Sequence, residues 1–305
     1  MILCAGEALI DMLARKTAQG HDAFEPFPGG AVFNTAVALG RLGAEAAFFS
    51  GLSDDLFGQR LQRALEASRV DATLAVISKR PTTLAFVQLA DGQATYTFYD
   101  ENTAGRMLGE SDLPELPARV SALFFGGISL AVMPCAEAYE ALMMRETGRL
   151  TMLDPNIRPD FISDVPAYRA RIARMMARAD IVKLSDEDLL WLSGSGDPVA
   201  LARELIGDSA RIVFLTEGAD GARAITRTLE LHAPAPRVEV VDTVGAGDTF
   251  NAGVLAALDR AGALDKAALG TIDAATLSGA LSLGVRAAAV TVSRAGANPP
   301  WKDEL

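Results

Sequence analysis

The 305-residue chain is poor in cysteine, histidine and basic residues, and each shortage excludes a class of protein. Two cysteines, Cys4 and Cys135, and two histidines are too few for a disulfide-framed secreted domain or a Cys/His zinc site. With 28 basic against 39 acidic residues, the formal net charge of -11 makes nucleic acid and anionic membranes poor partners. No apolar run reaches the ~20 residues of a membrane span, and no basic region precedes the apolar N-terminus as in a signal peptide. We therefore expect a soluble cytoplasmic protein.

Half of the residues are hydrophobic, and they form short apolar runs that alternate with amphipathic segments. Runs such as MILCAGEALI, AAFFSGLS, ALFFGGIS, DIVKLS and VEVVD predict strands, whereas AVFNTAVALGRLG and YRARIARMMARA predict helices. This alternation is typical of an α/β fold with a mostly parallel sheet covered by helices on both faces. Ligands of such sheets bind at the carboxyl ends of the strands.

One region interrupts this alternation. TTLAFVQLA and ATYTFYD are strand-like and are joined by Asp91-Gly92, a strong hairpin signal. Tyr96 and Phe98 alternate with Tyr99 and its threonine neighbours, which predicts a sheet with two different faces. The segment is therefore a candidate lid, and the alternative is a hairpin that only extends the main sheet.

The stretch VVDTVGAGDTFNAG places Gly245, Ala246 and Gly247 between a predicted strand and a predicted helix. Unpaired amides and the positive end of the helix dipole favour an anion there, and glycine lets a phosphate approach the backbone. Asp248 beside such a site suits a general base that takes a proton from an attacking hydroxyl. The alternative is that Asp248 only caps the helix.

A second stretch, PGGAVFNTAVALG, places Gly29-Gly30 before a helix with Asn34 one turn in. The glycines allow close approach of a ligand, and the Asn34 amide offers both a donor and an acceptor, which suits a polyol. The alternative is an ordinary turn followed by a polar residue at a helix start.

Together, PGGAVFN and DTVGAGDTF resemble the two signatures of the ribokinase-like (PfkB) carbohydrate kinase family in order and spacing. GEALIDM, DPNIRP, KLSDEDL, FLTEGADGA and VTVSRAGANPP extend the resemblance over essentially the whole chain. It implies a three-layer α/β/α fold with a central, mostly parallel sheet and a small antiparallel β lid. The chain would be one kinase domain, 1–305, with the lid formed by about 12–28 and 80–106.

The resemblance also implies roles in catalysis and sugar binding. Asp248 would be the general base, and Gly245, Ala246 and Gly247 would form the anion hole for the transferred phosphoryl group. The residues implied to bind the sugar are Asp11, Gly29, Gly30, Asn34 and Arg158, with Tyr96 and Phe98 from the lid. Alternatives remain open: Asp11 can cap a strand end, Arg158 can be a surface residue, and Tyr96 and Phe98 can pack within the lid or a lid dimer.

For the nucleotide, the resemblance implies Thr216, Gly218 and Gly221, together with Ser185 and Asp188. The last two replace the asparagine and glutamate that support Mg²⁺ and phosphate through water in many members. Glu187 could compensate, and the alternative is an acidic cluster that complements the helix dipole.

A loop for a monovalent cation is implied at Asp242, Val244, Arg294 and Gly296. The alternative for Asp242 is a strand-end carboxylate that fixes the loop. The implied cofactors are thus ATP, Mg²⁺ and K⁺.

The motifs are most similar to those of fructokinases, so we expect ATP-dependent phosphorylation of fructose. The segment 79–106 offers only Lys79, Arg80 and Arg106 as cations, which favours a neutral sugar. Alternatives are 2-keto-3-deoxygluconate kinase, then ribokinase or an aminoimidazole riboside or nucleoside kinase. A non-catalytic regulator is disfavoured by the intact Asp248 motif, and a dehydrogenase or P-loop kinase by the missing glycine motifs. Many relatives form homodimers through the lid, so a homodimer is expected by resemblance.

Overall fold

The computed structural model describes residues 1–90, 93–207 and 210–305, with only the backbone of residues 87–90 and 93–96. The strands within these residues are β1 (Ile2–Ala5), β2 (Leu9–Lys16), β3 (Asp22–Gly29), β4 (Ala46–Phe49), β5 (Gly51–Ser53), β6 (Val76–Ser78), β7 (Leu84–Ala90), β8 (Gln93–Tyr99), β9 (Ala122–Gly126), β10 (Leu150–Asp154), β11 (Ile181–Ser185), β12 (Ile212–Thr216), β13 (Ala222–Ile225) and β14 (Glu230–Ala233). The helices are α1 (Ala31–Arg41), α2 (Leu56–Ala67), α3 (Cys135–Arg145), α4 (Val165–Arg178), α5 (Asp186–Ser193), α6 (Pro198–Glu204), α7 (Ala246–Arg260), α8 (Lys266–Gly270) and α9 (Ala274–Val292).

The main sheet has the strand order β14-β13-β12-β11-β10-β9-β1-β4. Its strands pair in parallel except at one edge, where β13 is antiparallel to β12 and to β14. The carboxyl ends of the parallel strands therefore meet along one edge of the sheet. The mostly parallel sheet expected from the sequence is confirmed.

Both faces of the parallel part of the main sheet are buried, as the runs of apolar residues in those strands require. In β1, Ile2 and Cys4 join a hydrophobic cluster that includes apolar residues of α1, α2, α7 and α9. Leu3 and Ala5 point to the opposite cluster, which includes apolar residues of α3, α4, α5 and α6. The molecule is thus built of three layers, helices–sheet–helices, which confirms the predicted α/β/α class.

A second, smaller sheet has the order β3-β2-β7-β8, and we call it the small sheet. Its two hairpins, β2–β3 and β7–β8, are antiparallel, and they join through a parallel pairing of β2 with β7. Phe98 lines a cleft on one face of the small sheet, and Tyr99 is exposed on the other. The two-faced sheet predicted from the alternation is therefore present, whereas the predicted Asp91-Gly92 turn lies outside the described residues.

Three of the predicted strands differ from the structure. MILCAGEALI divides into β1 in the main sheet and β2 in the small sheet, because the chain leaves the main sheet after Ala5. AAFFSGLS likewise divides into β4 and β5. VEVVD is not a strand: Val240 and Val241 are exposed, and the amide groups of Val241 and Asp242 bond to the Val292 carbonyl at the end of α9. A short apolar run forms a strand only where a neighbouring strand is available for pairing.

Helix α9 is the one described helix that is long and apolar enough to cross a membrane by length and composition. It packs against α7 and against β13 and β14. Leu277 and Leu281 are buried in the cluster on that face of the main sheet. The packing is that of a core helix, whose apolar composition reflects contact with protein.

Candidate active site

The glycine loop of DTVGAGDTF forms the start of α7. Gly245 is the N-cap residue and has a left-handed φ of 78°, and a Cβ there would overlap Ala297. In the described part of the chain, the amide groups of Gly245, Gly247 and Asp248 have no hydrogen-bond partner. Free amides at the positive end of a 15-residue helix are suited to bind an anion.

Asp248 is buried in the first turn of α7 and does not cap the helix. Instead, Asn34 Nδ2 of α1 donates a hydrogen bond of 2.9 Å to Asp248 Oδ2. Burial raises the pKa of Asp248 to about 7; the hydrogen bond from Asn34 lowers it, and the charge of Asp154 raises it further. The positive charges of Lys183 and Arg158 lower it as well. A carboxyl group with a pKa near neutrality is suited to accept a proton at physiological pH.

Asp11 lies in β2 of the small sheet and not at the end of the first strand, where the sequence placed it. It packs against the backbone of Gly29, where a Cβ would overlap Asp11 Oδ2. Burial, followed by repulsion from Asp242, raises the pKa of Asp11 to about 7. The close packing explains why the chain has a glycine at position 29.

These residues surround a cleft of about 240 Å³ between the small sheet and the carboxyl edge of the main sheet. The cleft is lined by Glu7, Leu9, Asp11, Gly30, Ala31, Asn34, Phe98, Gly127, Ile128, Asn156, Arg158, Thr243, Val244, Gly245, Ala246, Gly247 and Asp248. Most of the residues predicted for sugar binding and catalysis therefore line one cavity. The backbone of Tyr96 lies in β8, and its side chain is outside the described residues.

Arg158 and Phe98 line the cleft in different ways. Arg158 is exposed, and its Nη1 donates to the Ile157 carbonyl at 3.0 Å, so the guanidinium is near the cleft without a carboxylate partner among the described residues. Phe98 of the small sheet contacts Phe161 of the 3-10 helix Pro159–Phe161 edge-to-face, with ring centroids 4.6 Å apart. This ring pair joins the small sheet to the main body beside the cleft.

The sequence motifs did not predict the buried charged cluster that lies beneath the glycine loop. Lys183 Nζ lies 3.1 Å from Asp154 Oδ2, and Asn251 Nδ2 donates to the same oxygen at 2.7 Å. A Cβ at Gly247 would lie 3.2 Å from Lys183 Nζ, so the ammonium group is next to the loop. Burial lowers the pKa of Lys183, but the charges of Asp154, Asp188 and Asp248 outweigh burial and raise it.

A sequence signal for this cluster does exist. Asp154 and Lys183 are charged residues within the otherwise apolar strands LTMLD and IVKLS. These strands are neighbours in the main sheet, so their carboxyl ends meet at the same edge. Charged residues in the carboxyl-terminal halves of neighbouring parallel strands predict a site, but only once the strand order is known.

The predicted nucleotide residues lie at the ends of β11 and β12. Ser185 and Thr216 are register partners, and Gly218 begins the turn that Gly221 ends with a φ of 103°. Ser185 and Asp188 cap α5 reciprocally, and Asp188 Oδ1 also accepts from the Ile157 amide at 2.9 Å. Asp188 therefore ties α5 to the loop that carries Arg158.

Asp242 connects two segments of the predicted cation loop, one at Val244 and one at Gly296. Its Oδ1 accepts from the Val244 amide at 3.0 Å, and its Oδ2 accepts from the Gly296 amide at 2.9 Å. Arg294 is directed away, with its Nη2 2.6 Å from Glu304 Oε1. Asp242, Val244 and Gly296 thus form one cluster, whereas the Arg294 side chain joins the C-terminal segment.

Among the described residues, no group of three or more His, Cys, Asp or Glu side chains could hold a metal ion. Mg²⁺ in nucleotide sites is typically bound by one or two carboxylates, water and the phosphates themselves. Asp154 and Asp188 are buried at the main sheet's carboxyl edge, and both oxygens of each carboxylate already accept from protein donors, so neither is placed to bind a metal ion directly.

Comparison with known proteins gives consistent results. The family described as pfkB family carbohydrate kinase matches residues 1–304. A fructokinase from Rhizobium leguminosarum bv. trifolii is 54% identical over 274 residues, which cover 90% of this chain and 84% of that protein.

Solved structures are similar along almost the whole chain. Fructokinase from Xylella fastidiosa with bound ATP has a TM-score of 0.89 at 31% identity, over 97% of this chain and 93% of that one. A double mutant of fructokinase from Vibrio cholerae O395, with bound fructose, ADP and a potassium ion, has a TM-score of 0.83 at 27% identity, with the same two coverages.

Proposed function

This chain belongs to the pfkB family of carbohydrate kinases and is an ATP-dependent sugar kinase, and we propose that its substrate is fructose. The family and the enzyme class predicted from the paired motifs are confirmed. The substrate proposal rests on the 54% identical fructokinase together with the chemistry of the cleft. One observation supports the phosphoryl-transfer reaction most: a buried carboxylate, Asp248, lies beside free amides in a cleft lined by further polar groups.

In the proposed mechanism, Asp248 takes the proton from a fructose hydroxyl as its oxygen attacks the γ-phosphorus of ATP. The new bond joins the sugar oxygen to phosphorus, the bond between phosphorus and the β,γ-bridging oxygen breaks, and ADP leaves. The free amides of Gly245, Gly247 and Asp248 would stabilise the negative charge of the transferred group. Lys183, beneath Gly247, would add a fixed positive charge.

The charge of the cleft supports a neutral sugar. Three carboxylates line it, those of Glu7, Asp11 and Asp248, against one cation from the described residues, Arg158. Arg106 pairs with Asp100, and Arg80 bonds to Asn102, so neither is directed to this cleft. A carboxylate-bearing substrate such as 2-keto-3-deoxygluconate would find one cationic partner among the cleft residues, Arg158, whereas hydroxyl groups can donate to Asp11 and bond to Asn34.

We further propose that ATP acts with Mg²⁺. When bound, Mg²⁺ would neutralise phosphate charge and help to align the γ-phosphoryl group. Ser185 and Asp188, at the start of α5, would support it through water. Ser185 and Thr216, which are register partners, would face the nucleotide from neighbouring strands, next to Gly218 and Gly221.

A monovalent cation, K⁺, is proposed at the Asp242 cluster. Asp242 links the Val244 and Gly296 loops directly before the glycine loop, so an ion there would brace the anion-binding amides. The Vibrio cholerae fructokinase with a bound potassium ion supports this proposal.

We propose the small sheet, with about 12–28 and 80–106, as a lid of the single kinase domain, and as the contact surface of a homodimer. Closure of such a lid would exclude water and so limit ATP hydrolysis. A cytoplasmic location is supported by two cysteines that are both free and buried, Cys4 and Cys135.

The test is ADP release with ATP and Mg²⁺ over fructose, tagatose, ribose, 2-keto-3-deoxygluconate, adenosine and aminoimidazole riboside. We expect fructose to give the highest kcat/KM by at least about tenfold. A higher value for another sugar would overturn the fructose assignment and leave the kinase assignment intact. Omission of Mg²⁺ and exchange of K⁺ for Na⁺ test the two ions separately.

A further inference from the structure

Glu7 is a buried carboxylate in the link between β1 and β2, and no role above explains it. It is 8% exposed and forms no ion pair with the described residues. Its main-chain carbonyl accepts from the Phe33 amide at 3.2 Å. A buried carboxylate is costly unless hydrogen bonds compensate it, so its partners should indicate its role.

The first partner is the start of α1. Gly30 is the N-cap residue, has a φ of 105°, and offers no capping side chain. Glu7 Oε1 accepts from the Ala31 amide at 2.9 Å and so supplies the missing cap from 24 residues away. Gly30 also packs on the backbone of Glu7, where a Cβ would lie 3.0 Å from the carbonyl oxygen.

The second partner is the 3-10 helix Ile128–Leu130, after β9. Its N-cap residue is Gly127, with a φ of 70° and no capping side chain. Glu7 Oε2 accepts from the Ser129 amide at 3.3 Å. A Cβ at Gly127 would overlap Glu7 Oε1. One carboxylate therefore caps two elements, and each begins at a glycine with positive φ.

Both capped elements line the cleft. Gly30 and Ala31 of α1, and Gly127 and Ile128 of the 3-10 helix, belong to its wall, as does Glu7 itself. One turn further along α1, Asn34 holds Asp248 at 2.9 Å. Two hydrogen bonds to α1 therefore connect the carboxylates: Glu7 accepts from the Ala31 amide at the start of the helix, and Asn34, one turn later, donates to Asp248.

We propose that Glu7 is a positioning residue: by capping both glycine starts, it fixes the floor of the cleft and aligns Asn34 with Asp248. This inference rests on the proposed function, in which Asp248 is the base. A carboxylate suits the task because both of its oxygens accept, whereas a glutamine amide would present a donor to one of the two amides.

The experiment compares Glu7→Gln with Asn34→Ala and with the double variant, using fructose, ATP and Mg²⁺. Misplacement of α1 should lower kcat by roughly 10–100-fold. It should also raise the fructose KM and move the acidic limb of the kcat–pH profile to higher pH. The same shift is expected in Asn34→Ala, because loss of its hydrogen bond raises the pKa of Asp248. The charged groups that face Asp248, namely Asp154, Lys183 and Arg158, are unchanged in both variants.

The double variant should show no pH shift beyond that of Asn34→Ala, since both changes act through one hydrogen bond. Asp197→Ala is the matched control, because it removes a helix cap on α6 and should leave kcat and the pH limb unchanged. Glu7→Asp repeats the test with the charge retained and the reach shortened.

A Glu7→Gln enzyme with lower thermal stability but wild-type kcat and pH limb would overturn the proposal, as would additive shifts in the double variant. If Glu7→Gln is not recovered folded, Glu7→Asp decides by the same criteria. A wild-type enzyme without fructose turnover would instead contradict the proposed function.

Discussion

At the scale of single residues, Asp248 carries the most direct prediction. Asp248→Asn removes the base and keeps the size of the side chain, so kcat should fall by about 10²–10⁴-fold. ATP affinity, measured by calorimetry, should change little because the free amides of the loop remain. In the wild-type enzyme, kcat should rise with pH through about 7, since the carboxylate form is the active one. Near-normal turnover in Asp248→Asn would contradict the general-base role.

The same substitution has a distinct effect on stability that serves as a control for folding. Because burial raises the pKa of Asp248, the folded state binds its proton more tightly than the unfolded state does. The protonated Asp248 carboxyl group therefore contributes fully to the free energy of unfolding below about pH 4, the pKa of an aspartate in the unfolded chain. This contribution is lost as the pH rises through about 7, the pKa in the folded state. An asparagine side chain does not ionise, so the Asp248→Asn variant should melt higher than the wild type at pH 8 and should lose this advantage progressively as the pH is lowered toward 4.

Lys183 is expected to act on both the phosphoryl group and Asp248. Lys183→Met should lower kcat by about 10²-fold, as for the loss of one group that stabilises transition-state charge. The acidic limb should move to higher pH, because the ammonium group lowers the pKa of Asp248. Loss of the cation also leaves Asp154 buried without its charge partner, so the single variant should be destabilised.

The pair Lys183→Met/Asp154→Asn separates catalysis from stability. The amide oxygen introduced by Asp154→Asn can still accept from Asn251, so thermal stability should recover relative to Lys183→Met while kcat stays low. Recovery of wild-type kcat in the double variant would mean that Lys183 only neutralises Asp154.

At the scale of elements, the ring pair Phe98–Phe161 joins the small sheet to the main body. Phe98→Ala should raise the fructose KM several-fold and increase ADP release in the absence of sugar, because water would enter a less closed cleft. Phe98→Leu keeps an apolar side chain and should be milder. Phe161→Ala should reproduce the effect of Phe98→Ala from the other side of the contact. An unchanged KM and unchanged basal ADP release in both alanine variants would contradict a closing role.

Elements whose periodicity and end signals agree were predictable from the sequence. The start of α7 was recognised from a glycine loop before an apolar helix, and it lies at Gly245. The prediction of a strand at VEVVD was wrong, because an apolar run does not reveal whether a neighbouring strand is available for pairing. Lys183 and Asp154 were missed because their contact depends on β10 and β11 being neighbours. From the sequence, Glu7 is recognisable only as part of the motif GEALIDM, because the two backbone amides that it caps lie 24 and 122 residues further along the chain.

At the scale of the whole molecule, the outer face of the small sheet presents an aromatic row. Phe24 and Tyr99 are 40% and 61% exposed, and each contacts Phe86 edge-to-face, with ring centroids 4.8 and 5.4 Å apart. Exposed apolar clusters of this kind mark interaction surfaces. The chain also carries a net charge of -11, so two copies repel each other at long range.

From these two features we predict a homodimer that forms through the small sheets and strengthens as salt screens the repulsion. Phe24→Glu/Tyr99→Glu places carboxylates in the contact, so light scattering after size exclusion should show a shift from dimer to monomer. Leu56→Glu, at an exposed leucine on α2, is the matched control and should leave the mass unchanged. A wild-type monomer at about 100 μM, or a dimer that persists in the Phe24/Tyr99 variant, would exclude this interface. Because the opposite face of the same sheet lines the cleft through Phe98, the monomeric variant should also have a raised fructose KM.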